Sequence, residues 1–82
     1  MAFCVQVVDA TGEPTPDVAV SLGFTRFIDG GVTDNLYTDS SGCAWFDLDD
    51  RRDGQECKIF IKGHNYGTTC YEAGGSVTVN YR

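Results

Sequence analysis

Five carboxylates stand close together in the middle of the chain and form the densest group of possible metal ligands in the sequence. They are Asp47, Asp49, Asp50, Asp53 and Glu56. Oxygen-rich loops of this kind bind Ca²⁺. The spacing departs from the EF-hand pattern, because Arg51 takes a ligand position and Phe60 stands where a bidentate glutamate is required. The segment therefore predicts either a solvated acidic loop or a weak Ca²⁺ site built from its aspartates.

The cysteines form a second group with possible chemistry, and they are scattered along the chain. They are Cys4, Cys43, Cys57 and Cys70. Zinc sites need closely spaced ligand pairs, so this spacing argues against a zinc site. On a strand pattern Cys57 is expected to point inward, whereas Cys4 and Cys43 fall on outward positions. Disulfides and free thiols both remain open, and a reducing cytosol would favour the thiols.

Acid–base catalysis has few candidates in this sequence. His64 is the only histidine, and its neighbours Gly63 and Asn65 predict a turn residue rather than a catalytic group or a metal ligand. Paired carboxylates can hydrolyse glycosides, but a chain of 82 residues leaves little room for a sugar cleft. We therefore expect no enzyme activity and no cofactor.

An exposed aromatic side chain is the strongest candidate for a binding site. Trp45 falls on the outward phase of its predicted strand, and Phe60 is expected to be its cross-strand neighbour. Together with Cys43, these rings would form an exposed apolar patch, a feature that marks interfaces. The alternative is that a loop covers them. Tyrosines could extend such a face or form a sugar platform; they are Tyr37, Tyr66, Tyr71 and Tyr81.

Short strands must position these side chains. Apolar residues alternate in seven segments separated by turn residues, and no segment shows a helical period over a helix-length window. The segments are 3–8, 18–24, 32–38, 43–48, 56–62, 68–72 and 76–81. The sequence predicts one all-β domain spanning residues 1–82, a sandwich or a barrel.

The charge balance limits the partners. The formal net charge is −6 at pH 7. A strongly acidic protein is a poor ligand for the phosphates of nucleic acid and for anionic membrane surfaces. The sequence shows neither a signal peptide nor an apolar run of the roughly 18 residues that a membrane helix needs. We expect a cytoplasmic protein or one associated with a particle such as a virion or a filament.

Three motifs in order resemble a known family. They are VVDATGEPTPDVAVSL, TDSSGCAWFDL and IFIKGHNYG, and they are similar to the carboxypeptidase regulatory-like and transthyretin-like (prealbumin-like) domains over nearly the whole chain. The resemblance implies a seven-stranded Greek-key β-sandwich, related in shape to immunoglobulin domains. Most members of that family are non-catalytic modules for folding, binding or assembly.

One enzymatic branch of that family needs comparison with this chain. Transthyretin-related hydroxyisourate hydrolases carry His-Val-Leu-Asp on the first strand and end in Tyr-Arg-Gly-Ser. Here Gln6 takes the histidine position, and the chain ends at Tyr81-Arg82. Glutamine cannot relay a proton near neutral pH as imidazole does, so the departure argues against that activity.

The combined expectation is a non-enzymatic structural or assembly module. Such a module would self-associate or dock on a larger particle, such as a phage virion, a filament or a secretion apparatus, and strand addition at a sheet edge is one route. The alternative is a ligand-binding module for carbohydrate or Ca²⁺, working through the aromatic face or the acidic loop.

Overall fold

The chain folds into two β-sheets. A computed structural model describes residues 2–24, 31–48 and 52–81. The strands are β1 (Phe3–Val8), β2 (Ala19–Phe24), β3 (Gly31–Val32), β4 (Leu36–Tyr37), β5 (Cys43–Phe46), β6 (Glu56–Ile61), β7 (His64–Cys70) and β8 (Ser76–Asn80). The three-stranded sheet has the order β5-β1-β8, and the five-stranded sheet has the order β3-β2-β6-β7, with β4 also paired to β2. The all-β prediction is confirmed.

The apolar core lies between the two sheets, where alternate residues of each strand point. The three-stranded sheet contributes Phe3, Val5, Val7, Ala44, Phe46 and Val79, and the five-stranded sheet contributes Val20, Leu22, Phe24, Cys57, Ile59 and Ile61. The inward position predicted for Cys57 is therefore confirmed. Within the described ranges, no helix has the length and apolar content that crossing a bilayer would require.

The segment predicted as one strand over 32–38 is two short strands along the same edge of β2. The register against β2 slips by one residue between β3 and β4. In the break, the Thr33 hydroxyl accepts the N–H of Leu22 at 2.9 Å. The described residues thus contain eight strands where the sequence predicted seven. The single strand was wrong because apolar alternation does not reveal an inserted residue.

A tight hairpin joins β6 to β7. Lys62 and Gly63 form its two-residue turn with φ of 52° and 83°, which is the type I′ geometry that suits twisted strands. His64 is therefore the first residue of β7 and pairs with Ile61. The prediction of a turn over 63–67 was wrong, because Lys62 and Gly63 complete the turn and β7 begins at the next residue.

Candidate functional site

A turn at residues 39–43 positions the candidate site. Its sequence, Asp-Ser-Ser-Gly-Cys, favours a tight turn because a short carboxylate can accept hydrogen bonds from the backbone just ahead of it. Asp39 Oδ1 accepts the Ser41 N–H at 2.9 Å, the Ser41 hydroxyl at 2.6 Å and the Cys43 N–H at 3.1 Å. Gly42 supplies a φ of 78°. The turn delivers the chain directly into β5.

The same carboxylate holds the indole of Trp45. Asp39 Oδ2 accepts a hydrogen bond from Trp45 Nε1 at 3.1 Å. Hydrogen bonds from the Ser41 hydroxyl, the Cys43 N–H and the Trp45 indole lower the pKa of Asp39 to about 2. The ring is nevertheless 53% exposed. The outward position predicted for Trp45 is confirmed, and the ring is anchored at one edge while much of its surface faces solvent.

The outer face of the three-stranded sheet, which we call the Trp45 face, presents uncharged side chains from its three strands. Strand pairing and alternation place on it Cys4, Gln6, Val8, Cys43, Trp45, Ser76, Thr78 and Asn80. No residue in this set carries a formal charge, although the protein as a whole carries −6. Interface cores are depleted of charged residues and enriched in aromatic ones. The strand residues of this face share two features with interface cores, the lack of formal charge and an aromatic ring.

Gln6 forms hydrogen bonds with the segments on both sides of β1 on the Trp45 face. Its amide nitrogen donates to the Ser41 carbonyl at 3.3 Å, and its amide oxygen accepts the Thr78 hydroxyl at 3.4 Å. One side chain on β1 thereby links β8 to the turn that holds Trp45. The Gln6 amide therefore makes hydrogen bonds to two neighbouring segments of the structure.

Two thiols lie side by side on the Trp45 face. Cys4 is directly opposite Trp45 in the ladder, and Cys43 is opposite Gln6, so the cysteines are diagonal neighbours on adjacent strands. Cys4 has the predicted outward phase but is only 6% exposed. Burial, and next the contact with the Cys43 thiol, raise the pKa of Cys4 to about 12.

The other two thiols lie on the five-stranded sheet, and all four cysteines are free. Cys57 is fully buried, and burial raises its pKa to about 11. Cys70 is exposed and pairs with Glu56 across the β6–β7 ladder. Alternation therefore directs the Cys57 and Cys70 side chains to opposite faces of that sheet.

The prediction that Phe60 neighbours Trp45 was wrong. Phe60 lies on β6 in the five-stranded sheet, opposite Ser21 of β2, so the two rings are on opposite outer faces of the molecule. Phe60 is half-buried because its ring covers Gly23, where an added Cβ would lie 2.5 Å from Phe60 Cε2. A ring placed over a strand glycine shields backbone that has no side chain of its own. The patch predicted from Trp45, Phe60 and Cys43 thus reduces to Trp45 and Cys43.

The tyrosines do not form one platform. Tyr37 is 63% exposed and pairs with Ala19 at the edge of the five-stranded sheet. Tyr71 is in the core, where its hydroxyl donates to the Phe46 carbonyl at 3.3 Å and accepts the Leu48 N–H at 3.0 Å. The remaining two rings, Tyr66 and Tyr81, contact each other in a tilted arrangement, with their centroids 5.7 Å apart.

The acidic segment is described only in part. Asp49 and Asp50 lie outside the described residues. Asp53 Oδ1 accepts the Ala73 N–H at 2.9 Å, and Asp47 is exposed. Within residues 2–24, 31–48 and 52–81, no three His, Cys, Asp or Glu side chains are grouped so that they could hold a metal ion. The Ca²⁺ site stays a prediction.

Comparisons with known proteins do not assign this chain to a family. No protein-family model matches the sequence, and a search of curated proteins finds no match. The resemblance to carboxypeptidase regulatory-like and transthyretin-like domains therefore stays a prediction.

Proposed function

We propose that this protein is a non-catalytic assembly module that associates with a second copy of itself through the Trp45 face. The observation that carries the proposal is the exposed indole of Trp45, fixed by Asp39. A ring that is already held loses little conformational entropy when a partner covers it. Tryptophan is also among the residues that most often dominate binding energy at interfaces.

The charge distribution supports a second copy as the occupant. Two molecules of net charge −6 repel each other, so they approach most easily where neither presents a carboxylate. The outward residues of β1, β5 and β8 carry no carboxylate, although Asp39, in the turn before β5, is an acidic side chain beside them. A contact between identical faces around a two-fold axis is also the commonest arrangement of homo-oligomers.

The size of the face sets the strength of the contact. Three strands about 4.8 Å apart and about five residues long cover roughly 250 Å², against the roughly 800 Å² per partner that a standard stable complex buries. We therefore expect a dissociation constant in the micromolar range or weaker. The overall avidity would be higher where many copies assemble on a virion, a filament or a secretion apparatus.

The proposal extends to the finer fold. Two sheets around one core, with an Asp-turn-Gly segment before both β2 and β5, support a transthyretin-like Greek-key sandwich. In that reading β3 and β4 together take the place of one strand of the seven.

A second candidate is carbohydrate binding by Trp45. An anchored, half-exposed indole is a suitable stacking surface for a sugar ring, and the hydroxyl and amide groups of Gln6, Ser76 and Thr78 on the same face could bond to its hydroxyls. This candidate predicts quenching or a shift of Trp45 emission on a glycan panel, with the protein remaining a monomer.

Sedimentation velocity over protein concentrations from about 1 µM to about 1 mM tests the assembly proposal. The wild type should sediment faster as concentration rises. Trp45→Ala should weaken the dissociation constant by about 30-fold, the equivalent of the roughly 2 kcal/mol typical of an interface hot spot.

Tyr37→Ala is the matched control. It removes a ring that is at least as exposed as Trp45 but belongs to the five-stranded sheet, so it should leave sedimentation unchanged. A wild type that stays monomeric at every concentration, or a Tyr37→Ala variant as impaired as Trp45→Ala, would contradict the assignment of the surface.

A further inference from the structure

The thiols of Cys4 and Cys43 differ from the other two in having each other as neighbours on one sheet face. They occupy diagonal positions on β1 and β5, and they contact through their side chains. Cys43 is half-buried and also approaches the Ser41 carbonyl at 3.9 Å. Neither residue belongs to the apolar core between the sheets, so filling space does not explain why two cysteines lie together here.

We propose that Cys4 and Cys43 form a reversible intramolecular disulfide by exchange with a low-molecular-weight disulfide such as glutathione disulfide. Both thiols lie on the Trp45 face, but the disulfide forms within one molecule, so the proposal does not require self-association.

The exchange proceeds in two steps. The Cys43 thiolate attacks one sulfur of glutathione disulfide, which forms a Cys43–glutathione bond and releases one glutathione thiolate. The Cys4 thiolate then attacks the Cys43 sulfur, which forms the Cys4–Cys43 bond and releases the second glutathione. The two protein thiols lose two electrons and two protons, and one glutathione disulfide gains both to become two glutathione thiols.

Accessibility decides the order of attack. Cys43 is the more exposed thiol, whereas Cys4 is shielded and its pKa is raised to about 12. The charged or titratable groups that face Cys4 are Cys43 and Asp39; the neighbouring residue on β8 is the uncharged Ser76. Only the thiolate form of Cys4 attacks, so the second step should become faster as the pH rises from neutral towards the pKa of Cys4.

The ladder geometry indicates that this disulfide is easily reduced. Diagonal residues of an antiparallel pair are separated by about 7–8 Å between Cα atoms, beyond the usual reach of a disulfide at about 5.5–6 Å. Most of this separation lies along the strands, so closure must shift β5 along β1 and strain the ladder between them. A strained disulfide has a higher reduction potential than a structural one and is opened by ordinary thiols.

The test is peptide mapping by mass spectrometry of the full chain after incubation with glutathione disulfide at pH 7 and pH 9. We expect a Cys4–Cys43 cross-linked peptide that dithiothreitol removes, with the Cys43–glutathione adduct more abundant at pH 7. Cys4→Ser should accumulate that adduct without closing, and Cys70→Ser, an exposed thiol on the other sheet, should close like the wild type.

Two results would overturn the proposal. One is a Cys43–glutathione adduct in the wild type that persists at pH 9 with no Cys4–Cys43 peptide. The other is a cross-link from Cys43 to Cys70 or to Cys43 of another molecule in place of Cys4. Both are read from the wild type, so they hold even where Cys4→Ser fails to fold.

Discussion

The turns at residues 9–13 and 39–43 have the same hydrogen-bonding pattern and a similar backbone conformation, but their surroundings differ. In both, the first aspartate accepts through Oδ1 the N–H and hydroxyl of the third residue and the N–H of the fifth. In both, the fourth residue is a glycine with positive φ, 87° at Gly12 and 78° at Gly42. The second turn in addition binds an aromatic side chain, because Asp39 Oδ2 accepts the Trp45 indole.

The two turns also differ in how closely their glycines are packed against neighbouring residues. A Cβ on Gly12 would meet nothing within 4 Å, whereas a Cβ on Gly42 would lie 2.7 Å from the Val7 carbonyl oxygen. Gly42 also accepts the Val7 N–H through its own carbonyl at 2.7 Å. The first turn reverses the chain after β1. The second is packed against β1 and holds the ring that we assign to the interaction surface.

Substitution of the two turn glycines should change the free energy of unfolding most, and by different amounts. Gly42→Ala should lower the free energy of unfolding by about 3 kcal/mol, because a left-handed backbone costs an alanine roughly 1–2 kcal/mol and overpacking adds roughly 1–3 kcal/mol. Gly12→Ala should cost only about 1 kcal/mol, since it meets the backbone penalty alone. Urea denaturation of both variants measures the difference, and equal losses would mean that the second turn is no more tightly packed than the first.

A smaller effect separates the two aspartates. Asp39→Ala should lower the urea midpoint more than Asp9→Ala, because both lose the same three bonds to Oδ1 and only the former also loses the Trp45 bond. Asp39→Asn is the control, since an amide oxygen can still accept at the Oδ1 position. If Asp39→Ala and Asp9→Ala have the same midpoint, the indole bond adds nothing to the turn.

The smallest effect is on acid titration. Hydrogen bonds lower the pKa of both carboxyls, and that of Asp39 falls from 3.8 to about 2. A carboxyl with a lowered folded pKa stabilises the fold above its unfolded pKa, so this stability is present above about pH 4 and is lost as the pH falls towards 2. NMR titration of the side-chain carboxyl carbons measures both sites. Trp45→Phe should raise the Asp39 midpoint and leave Asp9 unchanged; a shift at both would show a general change of the fold.

Local chemistry explains why the sequence predicted an all-β domain and the inward position of Cys57. Asp-x-Ser/Thr-Gly satisfies its own backbone within five residues, and the alternation around Val5 and Ile59 reports which side of a strand is apolar. The outward phases of Trp45 and Phe60 followed from the same rule. Each of these signals is contained within one strand or one turn.

Features that depend on pairing between distant strands were not predictable in this way. Alternation cannot tell which sheet a strand joins, so Phe60 was expected beside Trp45. It cannot show that a hydroxyl replaces a ladder bond, as at Thr33, or that a tyrosine hydroxyl finds partners inside the core, as at Tyr71. The contact of Cys4 with Cys43 likewise depends on the β1–β5 register, which no local pattern encodes.

Trp45 is the single tryptophan of the chain, so its fluorescence reports directly on whether a second copy covers the Trp45 face. Acrylamide quenching of its fluorescence should be efficient in dilute protein, where the ring is about half exposed, and should fall as the concentration rises and a second copy covers the ring. Quenching that stays constant while sedimentation shows association would place the contact elsewhere and contradict the account.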